Sequence, residues 1–474
     1  MIALKPTIYL PKQLYLYVSL RRIPKALTIA GSDSGGGAGI QADLKTFSAL
    51  GVYGTTVITS VTAQNTVGVT AIHDVPPEVV RAQIRAVLDD IGADAAKTGM
   101  LSDKGIISVV AEEMKRYGIL LVVDPVMKAK TGASLLREDA VEALITELVP
   151  VAKVVTPNIP EAEVMAGMSI RSVEDAERAA ERIASMGAEA VVVKGGHLPG
   201  GMAVDVLYTG GEFTRFEAER IDSKCTHGTG CTFSAALAAY LAMGFDVVEA
   251  VGRAKEFVRK AIMHGVEVGS GVGSVNPMAW LYNESERYKV VSELLKAVRV
   301  LESSPHAYKL VPETQMNLVM ALPHASSTED VAGFPGRIVR VWRSVKAVSC
   351  PEFGASRHVA NAVLTAMKFN PEIRSAMNVR LSEELLRVCR KLGLAVSYYD
   401  RSEEPPEIRE VEGATIPWGT RVAIERFGAV PDVIYHRGGW GKEPMATIFG
   451  RTPMEVVEKA LSIASKLVEV QKAT

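Results

Sequence analysis

The four residues Gly228-Thr229-Gly230-Cys231 combine a glycine turn with a reactive side chain. The helix that this turn should open is expected to run from about Cys231 to Met243. The first N–H groups of a helix have no partner within it, and the helix dipole favours negative charge at that end. The spacing therefore predicts an anion hole at Gly228, Thr229 and Gly230 that could hold a phosphoryl group. Cys231 becomes a candidate acid or base, because a helix N-terminus lowers the pKa of a thiol.

Another glycine-rich segment, from Gly31 to Asp43, leads from a predicted strand into a predicted helix. It lacks the Gly-Lys-Ser/Thr ending of a Walker A motif and the G-x-G-x-x-G spacing of dinucleotide-binding loops. From spacing alone, a flexible strand-to-helix turn is as good an interpretation as a ligand-binding loop. Asp43 could bind a substrate hydroxyl, or it could simply favour the first turn of its helix.

Asn158 and Glu161 stand three residues apart, before a predicted helix. An amide and a carboxylate at this spacing can hold hydrated Mg²⁺ beside nucleotide phosphates, because Mg²⁺ keeps several waters and takes few protein ligands. Lys194 precedes two glycines and could neutralise phosphate charge during transfer. These three residues are therefore candidates for binding ATP phosphates, with Mg²⁺ held through water. His197 and His227 are interpreted as structural or incidental.

Gln64 follows a β-branched run and carries a side chain suited to recognising a base. Its amide offers one acceptor and two donors side by side. An aminopyrimidine presents an amino donor next to a ring-nitrogen acceptor, so the two could pair through two hydrogen bonds. The alternative is that Gln64 merely caps a strand.

Short β-branched runs alternate with helical stretches from residue 25 to about 265. This alternation predicts an α/β fold, with a mostly parallel sheet and helices on both faces. The candidate strands are Ala26–Ala30, Gly54–Thr62, Leu120–Val123, Lys153–Thr156 and Ala190–Lys194. Active sites in such folds lie at the carboxyl ends of the strands. Gln64, Asp124, Asn158 and Lys194 each follow a predicted strand, so we expect them to face the same site.

The length of 474 residues is too great for one hydrophobic core and suggests at least two domains. A net charge of −1 provides no overall basic field that would attract nucleic acid or an anionic membrane. No apolar run approaches the ~20 residues needed to span a bilayer. The four cysteines show no C-x-x-C spacing, so neither a zinc site nor a disulfide framework is expected. This cysteine usage indicates a reducing cytoplasm.

The composition also places domain boundaries. Residues 1–22 are interpreted as an N-terminal extension. The stretch Gly265–Asn276 is rich in Gly and Ser, which is typical of a boundary. A helix over Glu284–Leu301 then begins a second unit that mixes strands and helices. We therefore expect one domain over residues 23–280 and another over residues 283–474.

Residues 26–64 resemble, almost without a gap, the hydroxymethylpyrimidine kinase/phosphomethylpyrimidine kinase branch of the ribokinase-like family. Lys97-Thr98-Gly99-Met100 and Asp124-Pro125-Val126-Met127 match motifs of the same family. Most ribokinase-like sugar kinases have Asp where this chain has Cys231, so the cysteine favours this branch. The resemblance implies a ribokinase-like fold for the first domain.

This resemblance also implies a reaction and a pocket. ATP, with Mg²⁺, would phosphorylate 4-amino-5-hydroxymethyl-2-methylpyrimidine and then its monophosphate. Cys231 would accept the hydroxyl proton or help orient the nucleophile. The second phosphorylation needs no strong base, so one site could serve both steps. The pocket would be lined by Gln64, Ala38, Asp43, Met100 and Val126.

Residues from about 283 to 474 resemble the ThiN-type thiamine-phosphate synthase domain. The resemblance rests on the segments 330–340, 353–360, 378–380 and 438–444. It implies a three-layer α/β/α fold like that of class II aldolases. The aldolase metal histidines are not evident, so no zinc is expected.

The reaction implied for this second domain joins the pyrimidine diphosphate to a thiazole phosphate and expels pyrophosphate. Arg presents a planar fork suited to phosphate oxygens, and His can protonate an oxygen near neutral pH. Arg337 and His358 match the catalytic pair of the family, and Lys442 is a further candidate for binding phosphate. Without the motifs, Arg337 and Arg357 would be interpreted as surface salt-bridge formers.

Two alternatives stay open. The second domain could sense thiamine metabolites instead of making them, although it has no basic helix-turn-helix segment. The first domain could act on a pyridoxine-type alcohol, against which the Gln64 region argues. In either case the expected partners are small molecules, namely the pyrimidine, ATP and the thiazole phosphate. Nucleic acid and membranes are not expected as partners. We expect the protein to be a homodimer in the cytoplasm.

Overall fold

The computed structural model describes residues 22–127, 138–411, 413–439 and 441–473. It divides into two compact units, the first ending at Leu281 and the second beginning at Tyr282. Two sequence predictions lie outside the described residues: the extension up to residue 21, and Trp440 of the segment 438–444.

Among the described residues of the first unit, the large sheet contains nine strands. They are β1 (Lys25–Asp33), β2 (Tyr53–Gln64), β3 (Val69–Asp74), β4 (Ala95–Thr98), β5 (Leu120–Val123), β6 (Val154–Val155), β7 (Ala190–Val193), β8 (Met202–Thr209) and β9 (Glu212–Glu219). Their order is β3-β2-β1-β4-β5-β6-β7-β8-β9. The six neighbouring strands β2, β1, β4, β5, β6 and β7 are parallel. The strands β3, β8 and β9 at the two edges pair in the antiparallel sense.

Helices cover both faces of this sheet, as the sequence predicts. They are α1 (Gly39–Ala49), α2 (Pro77–Asp90), α3 (Lys104–Tyr117), α4 (Glu138–Ala143), α5 (Ile159–Ala166), α6 (Val173–Ala184), α7 (Thr229–Ala242) and α8 (Val247–Met263). Successive strand residues point to opposite faces. In β5, Leu121 and Val123 pack with α2 to α6, while Val122 packs with α1, α7 and α8. Both faces are therefore apolar, which explains the continuous β-branched runs.

The Gly- and Ser-rich stretch 265–276 lies inside the first unit, shortly before the boundary between Leu281 and Tyr282, and the expected domains 23–280 and 283–474 stay a prediction. The stretch forms β11 (Gly273–Ser274), which pairs in parallel with β10 (Cys225–His227). A Cβ atom on Gly273 would lie 2.5 Å from the sulfur of Cys225, and one on Gly271 would lie 2.0 Å from the carbonyl oxygen of Thr66. These glycines permit close packing rather than a flexible connection.

The second unit has a seven-stranded sheet and a separate two-stranded hairpin. The strands are β12 (Leu318–Ala321), β13 (Val331–Gly333), β14 (Ile338–Val341), β15 (Ser344–Ala347), β16 (Glu352–Phe353), β17 (Ser375–Arg380), β18 (Val396–Tyr398), β19 (Val433–His436) and β20 (Met445–Gly450). The sheet order is β16-β13-β12-β17-β20-β19-β18, and β14 and β15 form the hairpin. Only β18 and β19 pair in parallel among these described strands.

Helices lie on both faces of the second sheet. The helices are α9 (Ala279–Ser303), α10 (His358–Phe369), α11 (Glu383–Lys391), α12 (Pro406–Arg409), α13 (Thr415–Phe427) and α14 (Pro453–Ala473). One apolar cluster packs α9, α11 and α14 against one face, and another packs α10 and α13 against the other. The predicted three-layer α/β/α arrangement is confirmed, and the likeness to class II aldolases stays a prediction.

Candidate active sites

In the first unit, the polar residues singled out in the sequence follow neighbouring strands at one end of the sheet. Gln64 ends β2, Met100 follows β4, Asp124 follows β5, Asn158 follows β6 and Lys194 follows β7. Parallel strands place these positions along one edge. An isolated parallel bridge between Asn158 and Lys194 continues the pairing of β6 and β7. The first candidate site lies at this edge.

The glycine turn at Gly228 opens α7 as expected, although the helix begins at Thr229 rather than at Cys231. Gly228 is the N-cap residue and has φ +83°, a conformation that favours glycine. A Cβ atom on Gly228 would lie 1.9 Å from the carbonyl oxygen of Gly37, so the turn rests directly on the first glycine loop. The first hydrogen bond of the helix runs from the Thr232 N–H to the Gly228 oxygen. The N–H groups before it remain available for an anion.

Asp33 organises the first glycine loop, and the sequence did not single out this residue by itself. Its carboxylate accepts hydrogen bonds from the N–H groups of Gly35 (2.8 Å), Gly37 (3.1 Å) and Ala38 (2.8 Å), and lies 3.1 Å from Nε2 of His227. Burial opposes its ionisation, but these hydrogen bonds outweigh burial and lower the pKa of Asp33. An Asp followed closely by glycines is a known turn-forming pattern, and that signal could have identified it.

Asp43 and Lys97 form a completely buried ion pair behind the site. Lys97 Nζ lies 2.9 and 2.8 Å from the two carboxylate oxygens of Asp43, and the Thr28 hydroxyl donates to the same carboxylate at 2.6 Å. Burial disfavours both charges, yet the carboxylate raises the pKa of Lys97, and the ammonium counters the rise in the pKa of Asp43. The interpretation of Asp43 as a first-turn acid is wrong, because no acidic residue lies in the first turn of α1, and binding of a substrate hydroxyl stays a prediction.

Asp124 and Lys194 form a second ion pair, at the mouth of the glycine turn. Lys194 Nζ lies 3.0 Å from Asp124 Oδ1, and the Ser234 hydroxyl of α7 donates to Asp124 Oδ2 at 3.2 Å. A Cβ atom on Gly230 would lie 3.5 Å from Lys194 Nζ and 3.6 Å from Asp124 Oδ2. Although burial disfavours its charge, Asp124 and Glu161 raise the pKa of Lys194. A permanent positive charge thus stands beside the predicted anion hole.

Asn158 and Glu161 are engaged with each other as a capping box at the start of α5. The Glu161 N–H donates to the Asn158 side chain at 3.0 Å, and the Asn158 N–H donates to the Glu161 carboxylate at 2.8 Å. Burial raises the pKa of Glu161 to about 7, with Lys194 opposing and Asp124 reinforcing the rise. The local spacing therefore has a structural role that the sequence analysis did not consider.

The same acidic residues have the chemistry to hold Mg²⁺. Glu161 and Asp124 are two buried carboxylates that share one nearby ammonium, so an additional cation would relieve their repulsion. Within the described ranges, no group of three or more His, Cys, Asp or Glu side chains could hold a metal ion. A site with few protein ligands is what Mg²⁺ uses when substrate phosphates and water complete its shell.

Cys231 lies in the first turn of α7, and its surroundings differ from the sequence expectation. Burial raises the pKa of the Cys231 thiol to about 11. The Lys97 charge and a hydrogen bond from the Gly39 N–H oppose this rise, while Asp43 and Asp124 reinforce it. The expected lowering by the helix terminus is therefore outweighed, and the side chain is a neutral thiol at neutral pH.

The residues expected to line a base-binding pocket surround the first glycine loop. The Gln64 side chain accepts from the Thr62 hydroxyl at 3.3 Å and lies 3.4 Å from the His227 ring, contacts long enough to be replaced by a ligand. Ala38 caps the start of α1, and Met100 is buried with its sulfur 3.4 Å from where a Cβ atom on Gly31 would lie. The Val126 N–H donates to the Asp124 carbonyl oxygen at 2.8 Å, which fixes this half-buried side chain beside the ion pair.

The second unit contains a cleft of about 1260 Å³. Among the described residues, seven basic side chains line it: Arg337, Arg357, His358, Arg401, Arg409, His436 and Lys442. The sequence analysis had selected Arg337, His358 and Lys442 from three separate segments, and the fold brings them to one cleft. Arg401 was not selected, because no motif contains it.

Arg337 occupies an unusual backbone conformation at the edge of this cleft. Its φ is +73°, which non-glycine residues seldom adopt, and it follows Gly336 with φ +69°. The Arg337 N–H donates to the Phe334 carbonyl oxygen at 3.0 Å, and the guanidinium donates to the carbonyl oxygen of Thr314. Such strained positions concentrate at functional sites.

His358 is the first residue of α10, and cations surround it. Although His358 is exposed, partial desolvation of its ring within the cleft lowers its pKa, and the charges of Arg337, Lys442, Arg357 and Arg401 lower the pKa further. Lys442 is placed by a tight turn, in which the Lys442 N–H donates to the Gly439 oxygen at 2.9 Å. This arrangement is a positive field that favours a multiply charged anion.

His436 also lines the cleft, and sequence reasoning missed it. Its Nδ1 accepts the Gly438 N–H at 3.1 Å, so the neutral ring carries its proton on Nε2. Burial, and then the charge of Arg401, lower the pKa of His436 to about 4. Tyr399 packs against the ring, with centroids 5.1 Å apart. The imidazole is therefore a fixed neutral donor.

Across the ranges that the structure describes, no helix has the length and apolar character required to cross a membrane.

Comparison with protein families gives one match for each unit. The model of the phosphomethylpyrimidine kinase family matches residues 33–276. The model of the thiamine-phosphate synthase ThiN family matches residues 293–462.

Individual relatives agree with this division. The bifunctional thiamine biosynthesis protein ThiDN of Methanocaldococcus jannaschii is 36% identical over 434 residues, which cover 91% of this chain and 96% of that protein. The hydroxymethylpyrimidine/phosphomethylpyrimidine kinase of Rhizobium meliloti is 54% identical over 53% of this chain and 96% of its own length. Among solved structures, an ADP complex of Bacillus subtilis pyridoxal kinase is 43% identical, with a TM-score of 0.52 over 54% of this chain and 98% of that one.

Proposed function

The chain belongs to the family of bifunctional thiamine biosynthesis proteins, and from that premise we propose how its residues perform the reactions. Its first unit is an ATP-using hydroxymethylpyrimidine and phosphomethylpyrimidine kinase, and its second is a thiamine-phosphate synthase domain. One observation carries the proposal for the kinase. The glycine turn at Gly228–Gly230 lies against the ion pair of Lys194 and Asp124, at the carboxyl end of the sheet.

In the first phosphorylation, the hydroxymethyl oxygen of the pyrimidine attacks the γ-phosphorus of ATP, and the bond to the β-phosphate oxygen breaks. Charge on the transferring group is met by the free N–H groups of Thr229 and Gly230 and by Lys194. The neutral thiol of Cys231 orients the hydroxyl by a hydrogen bond rather than acting as a preformed thiolate, and the hydroxyl proton passes to an oxygen of the transferring phosphoryl group. In the second phosphorylation the acceptor is a phosphate oxygen that is already ionised, so no base is needed.

We assign Mg²⁺ binding to Asn158 and Glu161, through water, with Asp124 nearby. When bound, the ion would neutralise the phosphate groups of ATP. The Glu161 carboxylate accepts backbone hydrogen bonds from Asn158 and Met127, so the contact would use the remaining lone pairs of this carboxylate and of the Asn158 side-chain oxygen.

We assign recognition of the pyrimidine to Gln64, whose amide can exchange its two long contacts for a pair of hydrogen bonds to the base. Ala38, Met100 and Val126 would contact the ring. Asp43 lies behind the pocket, where its buried ion pair with Lys97 holds the Lys97 side chain in place. The glycine loop held by Asp33 would close over the substrate.

In the second unit, we assign the departing diphosphate to Arg337, His358 and Lys442. The carbon–oxygen bond of the pyrimidine diphosphate breaks, and the ring nitrogen of the thiazole phosphate bonds to the freed carbon. The products are thiamine phosphate and pyrophosphate. Negative charge builds on the leaving group, which the cation cluster stabilises.

The likeness to a pyridoxal kinase keeps a pyridoxine-type alcohol as a second candidate substrate for the first unit. The sensing role of the second unit also stays open as an alternative. A homodimeric state and a cytoplasmic location stay predictions, as does the absence of nucleic-acid and membrane partners.

ADP release with the full chain tests the kinase proposal. The rival acceptors are hydroxymethylpyrimidine, its monophosphate and pyridoxine, each with ATP and Mg²⁺. We expect both pyrimidines to be phosphorylated and pyridoxine to be a poor acceptor. Faster turnover of pyridoxine than of either pyrimidine would reject the assignment of Gln64.

A further inference from the structure

Arg401 lines the cleft of the second unit but belongs to none of the segments that carry the family resemblance. Its side chain is only 18% exposed. The carboxylate of Glu404 is 3.6 Å away, which is beyond normal hydrogen-bond distance. A guanidinium has five N–H donors, and in the part of the chain that the structure describes it donates no hydrogen bond to a protein group. A largely buried cation without such bonds is costly, and a bound anion would reduce that cost.

The position of the Arg401 guanidinium is shown by its contact with the turn at Gly439 and by its effect on two histidines. A Cβ atom on Gly439 would be 3.8 Å from Arg401 Nε, so the glycine turn that carries Lys442 packs against it. Arg401 also contributes to the lowered pKa of both His358 and His436. The residue is therefore close to the predicted catalytic histidine and to the neutral imidazole of His436.

The number of anionic groups in the reaction exceeds what the motif residues account for. The synthase substrates carry a diphosphate and a separate monophosphate, and Arg337, His358 and Lys442 are already assigned to the departing diphosphate under the proposed function. A second phosphate group in the same cleft needs its own cation. Arg401 offers a planar fork suited to two phosphate oxygens.

We propose that Arg401 is an anion-binding residue of the second unit, and that it holds a phosphate group of one of the two synthase substrates. This inference rests on the proposed synthase function. Glu404, buried and bonded to the Thr415 hydroxyl, keeps the guanidinium in place without satisfying its donors. Phosphate oxygens of either the pyrimidine diphosphate or the thiazole phosphate present the same chemistry, and the experiment separates them.

The test uses the full chain and four variants. Arg401→Gln removes the charge, and Arg401→Lys keeps the charge but loses the fork. The double variant Arg401→Gln with Glu404→Gln avoids leaving a buried carboxylate alone. Arg387→Ala is the matched control, because Arg387 is an exposed arginine of α11 paired with Glu384 at 2.9 Å. Calorimetric titration with inorganic diphosphate and with inorganic phosphate measures anion binding, and steady-state assays give KM for each substrate.

We expect Arg401→Gln and the double variant to weaken binding by about 10- to 100-fold for one probe, as loss of a charged hydrogen bond predicts. The affinity of Arg401→Lys for that probe should lie between those of the wild type and Arg401→Gln, and the affinity of Arg387→Ala should match that of the wild type. A rise in KM confined to the pyrimidine diphosphate assigns Arg401 to that substrate, and a rise confined to the thiazole phosphate assigns it to the other.

Two results would overturn the inference. One is unchanged binding of both probes and unchanged KM values in the folded double variant. The other is full recovery of affinity when Glu404→Gln is added to Arg401→Gln, because Arg401 would then serve only to neutralise Glu404. A wild-type chain that binds inorganic diphosphate through Arg401 but never couples the substrates would leave the anion site standing and reject the synthase function.

Discussion

The two units place charge in opposite ways around their anionic substrates. In the first unit, Lys97 is completely buried and Lys194 is largely buried, and each is paired with an aspartate. The anion itself would meet backbone N–H groups at the start of α7. In the second unit, Arg337, His358 and Lys442 are exposed and gather in one cleft with a surplus of positive charge.

The difference follows from the two kinds of chemistry. Transfer of a phosphoryl group demands fixed geometry, and buried ion pairs hold their positions at the expense of desolvation. Departure of a diphosphate demands a strong positive field, which exposed cations provide but which salt screens. Breaking the buried pair of Lys97 and Asp43 should therefore damage the fold of the first unit, whereas removing an exposed cation of the second unit should damage the chemistry alone.

Lys97→Met should have the largest effect on stability. It leaves the Asp43 carboxylate buried without a counter-charge, which costs about 3–5 kcal/mol in the free energy of unfolding. Urea unfolding measures this. The counterpart in the second unit, Lys442→Met, removes an exposed cation and should stay within about 0.5 kcal/mol of the wild type. Adding Asp43→Asn to Lys97→Met should recover part of the loss. Equal free energies of unfolding for Lys97→Met and Lys442→Met would contradict the proposed difference between the two units.

Gly228→Ala should lower both phosphorylations by about 10²-fold or more, because the new Cβ atom would displace the turn from Gly37 and misplace the anion-binding N–H groups. Gly244→Ala is the matched control: Gly244 has φ +89°, but nothing lies within 4 Å of an added Cβ atom. Measured rates that fall equally in the two variants would show that backbone strain alone is responsible.

Gln64→Leu should weaken binding of the pyrimidine by about 1–3 kcal/mol, because the polar edge of the base would be left unpaired. ATP affinity should change little. Gln83→Leu provides the control, since the Gln83 amide bonds only to the backbone of Ile58 among the described residues. It should lower stability without affecting the pyrimidine. If titration shows weaker ATP binding and unchanged pyrimidine binding, the pocket is wrongly assigned.

The smallest expected effect is on the alkylation rate of Cys231, which tests whether burial raises the pKa of this thiol. A thiol with a pKa of about 11, against an ordinary value of 9.0, has about 100-fold less thiolate at pH 8. A thiolate with a higher pKa is more nucleophilic, which offsets part of the loss in thiolate concentration. Alkylation by iodoacetamide should therefore be about 10-fold slower than for free cysteine. The rate should keep rising with pH to above 10. Mass spectrometry with the exposed Cys350 as internal reference measures it. A plateau below pH 9 would contradict the account.

The sequence predicts the sheet and the glycine turn because both depend on local patterns. Alternating β-branched runs report strands buried on two faces, and Gly228 must be glycine to adopt its conformation. The hairpin of β8 and β9 escaped prediction, since β9 is exposed on alternate residues and rich in charge. Local composition could not show that the stretch 265–276 is packed within the first unit, because glycines that permit close packing have the same composition as glycines in a linker.

Site residues whose role depends on distant partners could not be predicted. The environment of Cys231 is set by burial against Lys97 and Asp43, which stand far from it in the chain, so the helix terminus alone gave the wrong direction for its pKa. Asp43 likewise looked free until its partner was known. Arg401 and His436 lie in no motif, and only the fold brings them into the cleft.

The central claim is that one chain holds two separate sites, and crossed substitutions test it most directly. Lys194→Met and Arg337→Ala are each assayed in the full chain for ADP release and, without ATP, for coupling of preformed pyrimidine diphosphate to thiazole phosphate. We predict that Lys194→Met lowers phosphorylation by about 10²–10³-fold and leaves coupling intact, while Arg337→Ala does the reverse. A folded Arg337→Ala chain that couples at the wild-type rate, or a wild-type chain that binds thiamine phosphate tightly and never couples, would contradict the account.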